Sequence, residues 1–275
     1  MVRSLWSAAT GMNAQQTNVD TISNNLANVN TTGYKAQGAQ FKSLLYQQLQ
    51  TVTTTSNGDP KPTTSQVGLG TRTSTINQFF SQGSFQESAN PAALAISGDG
   101  FFKIQASDGE TQLFTRNGNF TWALNGEGGG LVLTTAEGNK VLSSNDEEIT
   151  VDGDRVASRI TIGGDGMIYY PGEDGNPEEI GGPIGLWQFP NREGLQRVGG
   201  VAWQQTAASG EAINEAEAAG DVRPSEIVQG YLEGSNVNVA TEMVNLIVAQ
   251  RAYEMNSTAI HTTDEMMQTA NQLKR

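Results

Sequence analysis

The side chains that could do chemistry are few, and their spacing does not favour it. Among 275 residues there is one histidine, His261, and no cysteine. His261 lies in a stretch with helical apolar spacing. Nothing near it supplies the sharp turn that presents a nucleophilic serine in a Ser-His-Asp arrangement. The lack of cysteine removes disulfides, thiolate nucleophiles and cysteine-bound zinc. GEGGG at Gly126–Gly130 and GLG at Gly68–Gly70 are glycine-rich, but neither follows a strand and opens a helix as a phosphate-cradling loop must. Asp152, Asp154 and Asp165 lie close in sequence without the ordered ligand loop of a calcium site, and read as solvated turn residues. No catalytic, cofactor-binding or metal-ligating residue is assigned, and no cofactor is implied. One enzymatic alternative stays open. With 29 acidic residues, two carboxyls about 5–10 Å apart could make an extracytoplasmic carboxylate-dependent glycan-acting enzyme.

The chain's clearest pattern is a periodicity at its two ends. Val239, Leu246, Tyr253, Ile260 and Met267 recur every seven residues, with Met243 and Ala249 filling the seam. Such a repeat keeps one narrow helical stripe against other helices. Ser235 and Asn236 stand where they could cap the helix, and Glu242 enters an early turn where the dipole favours an anion. At the other end Leu5, Met12, Val19 and Leu26 fall seven apart, with Ala8, Ile22 and Val29 three positions further on. The asparagines and glutamines between them are poor packers, so this helix depends on partners for its stability. Gly33, after Asn30-Thr31-Thr32, sits where a left-handed terminator would belong.

Between these ends the composition changes. The 32 glycines, with 16% charged and 36% hydrophobic residues, point to turn-rich β structure. Asp-Gly, Asn-Gly and Glu-Gly pairs punctuate short apolar runs such as FFKI, FTWAL, LVLT and MIYY, the rhythm of an antiparallel sandwich or barrel-like sheet. Ser209–Ser225 reads as a surface return path to the last helix. Phe41–Leu49 can prolong the first helix or start a second. Thr51–Gln66, with Pro60, Pro62 and six threonines, reads as an extended excursion or a flexible linker. The expected fold is α+β. A discontinuous terminal coiled-coil helical domain (1–45 and 227–275) is joined by an extended Thr/Pro-rich connector (46–70) to a mainly antiparallel outer β domain (71–226).

Of the net charge of −13, the first 50 residues carry +2, the last 50 carry −3 and the middle −12. An acidic middle argues against nucleic acid, which needs clustered Lys and Arg. No run approaches the length of a transmembrane helix. The N-terminus lacks the apolar core of a secretory signal, because Ser4, Ser7 and Thr10 interrupt it.

SNNLANVNTTGYK (Ser23–Lys35) and GSNVNVATEMVNLIVAQRAYEMNS (Gly234–Ser257) resemble the paired terminal signatures of the bacterial flagellar rod and hook proteins. SQGSFQESANPAALAISGDGFF (Ser81–Phe102) is similar to that family as well. The motif residues are Asn24, Asn25, Leu26, Ala27, Asn28, Gly33, Ser235, Asn236, Val237 and Asn238. The resemblance implies a structural, non-enzymatic subunit that self-assembles into a helical tube. Its terminal helices would pack in the inner wall through Leu5, Met12, Val19, Ile22, Leu26, Val29, Val239, Met243, Leu246, Tyr253, Ile260 and Met267. It also implies proximal rod and hook subunits, surrounding basal-body rings and the flagellar export apparatus as partners. Location in the basal body, reached without a cleaved signal, follows from the same likeness. Phe41 and Leu45 would match an element recognised at the export gate, a plain i,i+4 packing pair being the alternative.

Overall fold

The computed structural model describes residues 2–50, 65–106, 108–109, 111–125, 129–153, 155–172, 176–217 and 223–273. The chain divides into two compact units. One comprises Met1–Ala27, Gln37–Gln78 and Asn238–Arg275, the other Asn28–Ala36 and Phe79–Val237.

The first unit is built on two helices, α1 (Val2–Ala27) and α2 (Val239–Gln272). The 34 residues of α2 make a rod of about 51 Å at about 1.5 Å per residue. Asn25 meets Glu242 and Gly11 meets Asn256, so moving 14 residues back along α1 moves 14 forward along α2. The helices are therefore antiparallel, in a register that is conserved over two heptads. The crossing is close at Gly11, where an added Cβ would lie 3.0 Å from the Asn256 side chain. The start of α2 differs from the sequence expectation. Asn238 is the cap, its side-chain oxygen accepting the Thr241 amide at 3.2 Å. Ser235 and Asn236 lie upstream in extended chain and are engaged elsewhere.

Against α1 lie β1 (Gln37–Ser43) and its antiparallel partner β4 (Thr71–Gln78), which share a bulge at Gln40/Phe41. The Thr10 hydroxyl accepts the Thr71 amide at 3.4 Å. A second antiparallel pair joins β2 (Tyr46–Gln50) to β3 (Ser65–Gly68). Phe41–Leu49 is thus strand and bend where the sequence allowed helix. Pairing of Phe41–Ser43 with the threonine-rich β4 and of Tyr46–Gln48 with β3 supplies non-local partners, and these outweigh the weak local helical preference of FKSLLYQQL. Thr51–Thr64 lies outside the described residues.

The second unit is mainly antiparallel β, as its turn rhythm predicts. Its strands begin with β5 (Phe85–Glu87), β6 (Leu94–Ser97), β7 (Phe101–Gln105), β8 (Gln112–Thr115), β9 (Phe120–Leu124) and β10 (Leu131–Thr135). β7 is the axis of the largest sheet, paired with β8 on one side and with Lys140–Val141 and Leu186–Gln188 on the other. Adjacent residues of a strand face opposite ways, and Phe101 and Phe102 accordingly belong to different cores. Phe102 packs with Leu94, Ile96, Phe120, Leu133 and Ile149. Phe101 packs with Phe114, Trp187, Phe189, Leu195 and Trp203. Each such side chain contributes about 1.5–3 kcal/mol on burial, which offsets the ordering cost of many short strands.

Ser209–Ser225 is more than a surface return path. Ile213–Asn214 pairs with Leu186–Gln188, and Ser209, Asn214 and Ser225 are buried. The buried Asn214 amide donates to Ser144 O at 2.9 Å, so the segment satisfies buried polar groups as well.

Candidate assembly surface and the seat of the connecting segments

The α1–α2 seam follows the heptad, with small and polar residues in half its positions. On α2 the inward stripe runs Glu242, Leu246, Ala249, Tyr253, Asn256, Ile260, Thr263 and Met267. Ala249 and Thr263 are its buried members, while Leu246, Ile260 and Met267 are half-buried and Tyr253 is 41% exposed. On α1, Ala8, Ala14, Ile22 and Asn25 are buried, and Leu5, Met12, Val19, Leu26 and the following Val29 are half-buried. A groove of about 560 Å³ opens between the helices, lined by Gln16, Val19, Gln250, Tyr253 and Glu254.

The larger apolar surface of α2 is on its other side. Met243, Val244, Ile247, Val248, Met255 and Met266 are all more than half exposed, with Val248 at 62%. Val239, expected on the same stripe as Leu246, is 40% exposed. A helix that is apolar on more than one side is made for partners on more than one side. Sequence reasoning followed one seven-residue stripe and missed this second one. The i, i+3, i+4 spacing of Val244, Ile247 and Val248 was the available signal. Phe41 and Leu45 share no helical face; Phe41 lies on β1 and Leu45 in the bend before β2, both exposed. His261 is exposed on α2.

The motif residues hold backbone in place. Asn25 reads the Gln37 peptide in both directions, its amide donating to the Gln37 carbonyl at 2.7 Å and its oxygen accepting the Gln37 amide at 2.9 Å. Asn236 accepts the Ala36 amide at 2.7 Å and donates to the carbonyls of Phe79 and Ser81. Val237 is buried and its amide donates to Ser235 Oγ. Asn24 and Ala27 are exposed, while Asn28 accepts from the Thr31 amide at 3.2 Å in the turn after α1.

Gly33 is left-handed, at φ 70°, but lies six residues beyond the end of α1, in the connecting segment. A Cβ there would stand 2.7 Å from the Asn117 amide nitrogen. Gly33→Ala is therefore expected to destabilise the β unit by about 1–3 kcal/mol from backbone strain alone. Thermal unfolding, which moves by about 2–4 °C per kcal/mol at this size, is the measurement.

Beside Gly33 lies a buried charge cluster that the sequence did not disclose. Lys35 Nζ contacts Glu233 Oε1 at 2.6 Å, and Arg116 Nη1 contacts Glu233 Oε2 at 3.1 Å. All three side chains are essentially inaccessible to water. Lys35 also donates to the Ser81 carbonyl, Gly83 N–H donates to Glu233, and Arg116 donates to the Gly98 carbonyl. Burial and the neighbouring Arg116 guanidinium lower Lys35 to a pKa of about 8, against the upward pull of Glu233. In the sequence Lys35 ends TTGYK and Glu233 ends GYLE, each adjoining a motif. Nothing local marks them as a pair.

Comparison with known proteins places the chain. Residues 5–35 match the family model for flagella basal body rod proteins. Residues 95–170 match that for the flagellar hook protein FlgE/F/G D1 domain, and 228–273 that for the flagellar basal body rod FlgEFG protein C-terminal region. The flagellar basal-body rod protein FlgG of Borreliella burgdorferi is 43% identical over 277 residues, covering the whole of both chains. The FlgG proteins of Agrobacterium fabrum (40% over 269 residues, 96% of this chain and 97% of that protein) and Bacillus subtilis (36% over 275 residues, all of both) are similar. The FlgE hook protein of Helicobacter mustelae is 44% identical over 127 residues, 46% of this chain and 28% of that protein. The chain belongs to the flagellar rod and hook family of FlgE, FlgF and FlgG proteins, and its full-length relatives are the FlgG basal-body rod proteins.

Proposed function

We propose that this chain is a structural subunit of the flagellar rod, in its distal part, and polymerises into a tubular shaft. The observation that carries the reading is the second apolar face of α2, exposed among the described residues and repeated once per subunit. A heterologous contact between copies, with a rotation that does not close, generates a helical polymer rather than a ring. In this reading the helical unit supplies the packing between subunits, through both the Leu246–Ile260 seam and the Val244–Val248 face. The acidic β unit supplies solvated surface. Torque passes through many identical contacts, exported subunits pass along the lumen, and no reaction is catalysed. Proximal rod subunits, hook subunits, the surrounding basal-body rings and the export apparatus are its proposed partners. The proposed site of action is the cell envelope, reached by export without a cleaved signal.

The test uses the purified full-length chain at rising concentration. Electron micrographs are expected to show straight tubes. Amide exchange is expected to show α1 and α2 weakly protected in the monomer and strongly protected in the polymer. A chain that stays monomeric at every concentration, with both helices already fully protected, would overturn the reading.

A further inference from the structure

The cluster formed by Lys35, Glu233 and Arg116 holds two cations and one anion in a dry interior. It sits where the two connecting segments of the β unit run side by side. Gly33 N–H donates to the Glu233 carbonyl at 2.7 Å and Asn236 N–H to the Tyr34 carbonyl at 3.4 Å. The Ala36 amide closes the pairing on Asn236 Oδ1 at 2.7 Å. Lys35 and Glu233 face each other across this pair, and Arg116, just beyond the end of β8, reaches the same carboxylate.

We propose that this cluster is a proton-sensitive latch on the two connecting segments, strained while Lys35 is charged and tightened when Lys35 releases its proton to solvent. The argument begins with charge balance. Glu233 can neutralise one partner, and a guanidinium is a permanent cation in proteins. The surplus positive charge therefore falls on Lys35. Among the described residues Arg116 Nε has no hydrogen-bond acceptor, so the cluster holds no spare anionic capacity. The other charges acting on Lys35 do not relieve it. Arg192 adds a further positive potential, and its own partner Asp99 is engaged in that ion pair. Loss of the Lys35 proton leaves one carboxylate facing one guanidinium, and the neutral amine still has N–H groups for Ser81 and Glu233.

The sign follows from linkage. The folded pKa of about 8 lies below the ordinary value of 10.5, so between these values the unfolded chain binds more protons than the folded one. The contribution of Lys35 to the stability of the β unit is then lowest below about pH 8 and is gained as pH rises towards 10.5. From this group alone, the folding equilibrium constant rises about twenty-fold between roughly pH 7.5 and 9.5.

The experiment compares the full chain with Lys35→Met, which lacks the titrating group, in denaturant unfolding at both pH values. The wild type is expected to gain about twenty-fold more than the variant. In parallel, the ε-carbon resonances of labelled lysine are followed through a pH titration of the wild type. Lys35 is expected to have its midpoint near 8, away from the exposed lysines. The titration decides the matter on its own if Lys35→Met fails to fold. A Lys35 midpoint at the ordinary lysine value, or equal pH dependence in the two proteins, overturns the proposal. Neither outcome bears on whether the chain polymerises, so this inference and the rod reading fail independently.

Discussion

Glu233→Ala is expected to cost the β unit about 3–5 kcal/mol. The physical reason is asymmetry. The variant removes the one anion and leaves Lys35 and Arg116 buried side by side without a counter-charge. It also removes the acceptor for Lys35, Arg116 and the Gly83 amide together. Domains of this kind have about 5–15 kcal/mol in hand, so much of the margin would go. Glu233→Gln keeps the shape and loses the charge, and should recover only part of the loss. Lys35→Met leaves a balanced pair and is expected to be the mildest of the three. Equilibrium denaturation of the three variants checks the order. If Glu233→Ala unfolds at the wild-type midpoint, the cluster contributes nothing to stability.

The second large effect is on assembly and leaves folding alone. Val248 is 62% exposed on α2, so Val248→Asp is expected to change monomer stability by no more than about 0.5 kcal/mol. In a polymer that covers this face, the same aspartate is an unpaired charge buried once per subunit, a cost of several kcal/mol in real proteins, of the order of the whole contact. Polymerisation is expected to be abolished, with circular dichroism and melting temperature unchanged. Leu246→Asp differs in kind, because Leu246 lies half-buried in the seam with α1 and its loss disturbs the helical pair itself. Val248→Asp subunits that form normal tubes would place the inter-subunit contact elsewhere.

Much of this protein was legible without coordinates. The heptads at 5–26 and 239–267 mark two long helices, because helical periodicity is a local property that each segment carries within itself. The Asp-Gly and Asn-Gly rhythm marks the β unit for the same reason, since those dipeptides favour turn conformations wherever they occur. The absence of cysteine and the isolation of His261 removed most catalytic chemistry before any fold was known. What only the tertiary structure decided is what depends on distant partners. Phe41–Leu49 has no strong preference of its own, and becomes strand because β4 is there to pair with Phe41–Ser43 and β3 with the strand that begins at Tyr46. Which side of α2 is covered depends on where α1 lies, so the free Val244–Val248 face could not be told from the packed one by period alone. Asn236, plausible as a helix cap, instead holds the connecting segment against Phe79 and Ser81. The charge cluster is the extreme case. Its members are 198 and 117 residues apart in sequence, and no pattern in one segment indicates a counter-ion in another. Local preference is written residue by residue, whereas burial of charge is settled only when the chain closes on itself.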